Sequence, residues 1–155
     1  DGYQLHASPK HPKSRGEISL KSSDPYDYPK ILFNYLKEEE DLKQTRECIK
    51  VARKILSQPA LSEHAGEEVG PGLDSQSDDE LNEYIRSKAD TAYHPCGTCK
   101  MGVDDMAVVD QDLKVNGIEN LRVIDASVIP EIPSANLNAP TLMIAEKGSD
   151  YILNS

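Results

Sequence analysis

At 155 residues the chain has room for one domain and is short for two. A hydrophobic share of 37 %, an aromatic share of 5 % without tryptophan and a mean hydropathy of −0.58 predict a small core, or packing surface supplied from elsewhere. Against 17 basic residues stand 27 acidic ones, and the net charge of −10 argues against nucleic acid or an anionic membrane surface as partner while attracting cations.

No apolar run approaches the ~20 residues that span a bilayer. The opening Asp1-Gly2-Tyr3-Gln4 has neither the charged nor the apolar region of a secretory leader. Cys48, Cys96 and Cys99 are too sparse for a disulfide framework and point to a reducing cytosol or mitochondrial matrix.

In chain order, Glu17-Ile18-Ser19-Leu20-Lys21 alternates as a half-buried strand does. The turn-rich Asp24 to Pro29 follows, and Ile31 to Leu36 reads as a short second strand or extended segment. From Glu39 to Ser57, Leu42, Ile49, Ala52 and Leu56 recur at helical spacing until Pro59 ends the pattern. Residues 63–76 are rich in Gly, Glu and Pro and read as a surface loop. Ser77 with Glu80 three residues on forms a capping box, opening a helix to about Ala89 or Asp90. Ala107 to Asp110 and Leu121 to Asp125 read as strands, the second apolar enough to be buried on both faces. A last helix runs from about Pro140 to Leu153, with the proline in the first turn.

Two segments carry chemistry: Tyr93 to Gly102 (YHPCGTCKMG) and Asn136 to Thr141 (NLNAPT). A histidine side chain such as that of His94 can act as a base, and an asparagine amide can hold a developing oxyanion without competing for the proton. Each also has a plainer reading. A lone histidine often serves only as a hydrogen-bonding group, and Asn136 or Asn138 would make a good helix N-cap. Cys96-Gly-Thr-Cys99 fits a dithiol or, with His94, part of a zinc site, but the remaining histidines lie in poorly patterned contexts and no βαβ setting surrounds the pair. The acidic groups Glu38 to Glu40 and Asp78 to Glu80 read as solvated first-turn residues that complement helix dipoles.

The run YHPCGTCKMG, followed by AVVDQDLKVNGIENLRVIDASVIP and NLNAPTLMIAEKGSDYIL, resembles the C-terminal signature of the glucose–methanol–choline family of flavin-dependent alcohol oxidoreductases. HPKSRGEISLKSSDPYDYPKILFNYL is similar to the segment where that family's C-terminal region begins, so the likeness covers nearly the whole chain, and it is strongest to the branch that acts on choline. The resemblance implies an α+β fold, an antiparallel sheet backed by helices. Residues 1–92 would be the substrate-binding cap region, and residues 93–155 an active-site loop followed by a strand and helix that return to a flavin domain. It implies FAD as cofactor, held elsewhere, because the chain has no GxGxxG fingerprint. The expected partners are therefore an N-terminal FAD-binding half and a small alcohol such as choline, and the chain alone is expected to be inactive. A non-catalytic interaction module on the same fold is the other reading.

By position, the resemblance makes His94 the active-site base or electrostatic partner of the alkoxide, with Tyr93 beside it at the substrate, and makes Asn138 the second residue on the same oxygen. Asp125 and Ala126 match the segment passing the pyrophosphate and ribityl chain. Asn138, Ala139, Pro140 and Thr141 match the segment against the pyrimidine side of the flavin. Two positions depart from the pattern. Cys96 stands where relatives commonly have Val or Ser, and Ala135 replaces a usual Gly, which would matter if the backbone there needs positive φ.

Overall fold

The computed structural model describes residues 2–154, and its elements are β1 (Glu17–Ser19), β2 (Lys30–Leu32), α1 (Glu39–Leu56), α2 (Asp78–Lys88) and α3 (Asn138–Leu153). Two 3₁₀ segments, Pro59–His64 and Ala126–Val128, complete the order. The fold is α+β, and the chain divides into two units, Asp1–Ala92 and Tyr93–Ser155.

In the first unit β1 and β2 pair antiparallel, with Glu17 opposite Leu32 and Ile18 opposite Ile31. The second strand stops at Leu32, short of the predicted Leu36, because Asn34 and Leu36 take left-handed φ of 53° and 57° and break the extended run. The hairpin's apolar residues Ile18, Ile31 and Leu32 are exposed, while the buried contacts form where α1 packs on α2. Leu42 of α1 and Leu81 and Ile85 of α2 are the buried apolar residues of this helix pair. The guanidinium of buried Arg46 donates from Nη1 to the Asn82 side chain at 2.6 Å, while its Nε, 3.6 Å from the Asp78 carboxylate, has no hydrogen-bond partner among the described residues.

Both helices begin as their sequences dictate. At α2 the capping box is complete: Ser77 Oγ accepts from the Glu80 N–H at 3.3 Å, and Glu80 Oε2 accepts from the Ser77 N–H at 2.8 Å. At α1 no side chain caps the end, and Asp41 in the first turn turns outward from the helix instead. Only 2 % exposed, it accepts from the N–H groups of Lys13 and Ser14, both at 2.7 Å, and from Ser14 Oγ at 2.5 Å. Burial pushes this carboxyl up, but the Ser14 hydroxyl, the two N–H donors and the charge of Arg15 outweigh it and leave it below its usual value. Of the loop predicted over 63–76, residues 63 and 64 instead complete the 3₁₀ segment Pro59–His64, and residues 65–76 form a loop, though a pinned one. Arg53 holds both carboxylate oxygens of Glu68 at 3.0 Å and the Gly72 carbonyl at 2.9 Å.

In the second unit the core is Val109, Leu113, Val128, Ile129, Leu137 and Ile144. The two predicted strands are reduced to single bridges, Val109 with Met101 and Val115, and Lys114 with Arg122. For Leu121 to Asp125 the expected burial on both faces is not found. Among the described residues its main chain bonds along one edge, to residues 113–115, through Val115 N–H to Leu121 C=O and Val123 N–H to Leu113 C=O, and Leu121 is 46 % exposed. Among the described residues no helix is long and apolar enough to cross a membrane.

Candidate active site

His94 is half-buried in an irregular segment, directly after Tyr93, which is 77 % exposed and left-handed at φ 60°. That conformation is costly for a large side chain, of order 1 kcal/mol, and such strain persists only where the surroundings hold it. The segment is registered on residues 127–130. Cys99 N–H donates to the Ser127 carbonyl at 3.0 Å and Met101 N–H to that of Val128 at 2.8 Å. At Gly97, φ is +87° and a Cβ would stand 3.2 Å from the Ile129 carbonyl oxygen, so both backbone and space call for glycine.

Cys96 and Met101 pack against the same cluster that buries Leu137 and Ile144. His94 is thus two residues from one anchor of this core, and Asn138 directly follows another. The structure brings the two chemistry-bearing segments onto one hydrophobic base.

Helix α3 begins at Asn138, with Leu137 at the cap position and no side-chain cap. Neither Asn136 nor Asn138 is therefore spent as an N-cap, and both side chains are exposed. Thr141 N–H and Oγ both donate to the Leu137 carbonyl, at 2.9 and 2.7 Å. Pro140 carries no N–H, so the first-turn donors lacking an intrahelical acceptor include those of Asn138 and Ala139. Ala135 is not among the residues with positive φ, so alanine in place of glycine costs nothing there.

Asp125, extended at φ −155°, caps the 3₁₀ turn Ala126–Val128 with its own side chain. Nearby in sequence, Lys100 Nζ lies 2.7 Å from Asp104, and with the Met106 N–H it holds that carboxyl below its usual value. The three cysteines are partly buried thiols, and burial with Glu47 beside it pushes Cys48 up. Among the described residues no cluster of three or more His, Cys, Asp or Glu could hold a metal ion. An open groove of about 540 Å³ between residues 5–10 and α1 belongs to the first unit and contains none of the candidate residues.

Residues 12–145 match the family model of GMC oxidoreductases. The chain belongs to this family. The oxygen-dependent choline dehydrogenase of Klebsiella pneumoniae is 52 % identical over 151 residues, 97 % of this chain and 27 % of that protein. Among solved structures, pyridoxine 4-oxidase from Mesorbium loti superposes with a TM-score of 0.88 at 32 % identity, over 94 % of this chain and 28 % of the other. An FAD-dependent oxidoreductase from Chaetomium thermophilum gives 0.87 at 28 % identity, over 93 % and 25 %. The chain thus spans about a quarter of the length of the curated relatives it matches, 27 % for the one above.

Sequence reasoning singled out His94 and Asn138 but not what holds the His94 segment: the left-handed Tyr93, the Gly97 approach and the carbonyl of Ser127. The glycine after Cys96 and the Asp-x-Ser of Asp125 and Ser127 were the available signals, since the first permits positive φ and the second is a local capping pattern.

Proposed function

We propose that this chain is the substrate-side and oxygen-handling part of an FAD-dependent enzyme that oxidises the CH–OH group of a primary alcohol, with choline as the substrate. Residues 1–92 form its cap region. Residues 93–155 bring the active-site loop and α3 to a flavin domain that contains the ADP-binding glycines. The reading is carried by one observation: the His94 loop and the start of α3 rest on a single core in a chain 52 % identical to a choline dehydrogenase.

The residues fit a flavin. An exposed asparagine amide, the first-turn N–H groups of Asn138 and Ala139, and small side chains at Ala126 and Ala139 suit close approach of a flat ring whose carbonyl edge becomes electron-rich. FAD supplies the hydride acceptor. His94 takes the hydroxyl proton, and Asn138 donates to the same oxygen as negative charge grows on it. Tyr93 borders the substrate. The acidic surface favours a cationic alcohol, and the partly buried thiols suit a reducing cytosol or matrix.

In the full-length, FAD-loaded enzyme, His94→Ala should lower kcat by about 10²–10⁴-fold while the flavin absorbance stays, and Asn138→Ala by about 10²-fold. Wild-type turnover in His94→Ala overturns the assignment. The 155-residue chain alone should purify without a flavin band.

A further inference from the structure

We infer that Asp125 is a positioning residue for His94, acting through Ser127 and the main chain of Cys99 and Met101; the functional meaning rests on the reading of His94 as proton acceptor. Apart from the Met101–Val109 bridge, residues 93–101 belong to no helix or strand, so their position depends on what they bond to. The acceptors are the carbonyls of Ser127 and Val128, with that of Ile129 pressed against Gly97. All three follow from one tight turn. It closes through Val128 N–H to the Asp125 carbonyl at 3.3 Å and Ile129 N–H to that of Ala126 at 3.2 Å.

A single 3₁₀ turn with bonds of that length is weakly held by its main chain alone. The Asp125 carboxylate tightens it: Oδ1 accepts from Ser127 N–H at 2.7 Å and from Ser127 Oγ at 2.5 Å. The path from carboxylate to active-site loop is therefore continuous, Asp125 to Ser127, then the Ser127 carbonyl to Cys99, with Val128 to Met101 alongside. Both side-chain bonds use one oxygen as an acceptor, a role that an amide oxygen also fills, more weakly for want of the charge. That separates positioning from any direct electrostatic role toward a ligand, which would require the charge.

The test is NMR on the selectively labelled full-length enzyme, reading amide exchange at Cys99 and Met101 and the His94 ring signals, with α1 and α2 amides as controls. In Asp125→Ala, exchange at Cys99 and Met101 should rise about fivefold, the factor implied by loss of one capping interaction. The His94 ring signals should move and the controls stay. Asp125→Asn, which keeps the acceptor, should stay much closer to wild type than to the alanine variant on every readout, and Ser127→Ala, which loses only the hydroxyl bond, should fall between wild type and Asp125→Ala. Unchanged exchange in Asp125→Ala, or an Asp125→Asn as perturbed as the alanine variant, overturns the proposal. Should Asp125→Ala fail to fold, Ser127→Ala decides: faster exchange at Cys99 supports positioning, and wild-type exchange overturns it. No turnover is measured, so failure here is distinct from failure of the His94→Ala test.

Discussion

Replacing Gly148 of α3 by alanine sets two effects of similar size against each other. Mid-helix, Gly→Ala gains about 1 kcal/mol from restricted unfolded-state freedom. Against this, a Cβ at 148 would stand 2.5 Å from Ile124 Cγ2, 2.9 Å from Cδ1 and 3.2 Å from Cγ1. The nearest of these is the branch methyl, fixed by a stiff χ1, and it cannot swing aside as the end of a long side chain would. Gly148 is buried and Ile124 packs on the core, so relief must come from displacing the helix. Overpacking of this kind costs about 1–3 kcal/mol. The clash should win, leaving Gly148→Ala less stable by about 1 kcal/mol net, the middle of that range less the propensity gain. Ile124→Ala removes all three opposing atoms, and in that background the same substitution should stabilise by about 1 kcal/mol. Urea unfolding of the four proteins by far-UV circular dichroism, with amide exchange along α3 as the local probe, measures the cycle. A stabilising Gly148→Ala in the wild-type background, or no change of sign between backgrounds, would refute the packing argument.

Three further outcomes follow from the first unit. Asp41→Asn cannot accept on both edges and should lose about 2 kcal/mol at pH 7. Because the folded carboxyl lies below its usual value, Asp41's contribution is whole above the unfolded-state pKa of about 3.9 and disappears as pH falls through the lower folded one. The gap between wild type and Asp41→Asn should then close on acidification below about pH 4, and a gap constant down to about pH 2 would be inconsistent with the three hydrogen bonds. Ser77→Ala removes half of the capping box and should cost about 1 kcal/mol, read as faster exchange in the first turn of α2 with α3 unaffected. Glu68→Ala frees Arg53 from its two carboxylate contacts, so limited proteolysis should cut within residues 65–72 faster than in wild type; equal cleavage rates would mean that the Gly72 contact alone pins the loop.

What the sequence made legible is what local chemistry decides. Ser77 and Glu80 announce their helix because a capping box needs only four residues, and Pro59 marks the end of α1 for a similarly local reason. His94 and Asn138 stand out by residue type and by the family signature around them. Features that depend on distant partners were hidden. Leu121 to Asp125 looks like a strand by composition, but a strand needs a partner paired with it over several residues, and here the pairing with residues 113–115 amounts to a single bridge. The Asp41 latch joins residues 27 and 28 positions apart, and nothing at Lys13 or Ser14 signals it. Asn138 opens α3 instead of capping it because Leu137, needed by the core, takes the cap position at 5 % exposure.

Val109 has a consequence for how this part of the chain tolerates changes in length. Wholly buried, it bridges Met101 on one side and Val115 on the other. The connection from Met101 to Val109 passes through Val103, Asp104 and Asp105, all exposed, so residues inserted there leave both anchors where they are. A single residue inserted beside Val109 is different in kind, because extended backbone alternates its faces and the valine would turn from core to solvent. Length variation among homologous chains should accordingly gather at the 103–105 tip and avoid the two or three positions flanking Val109.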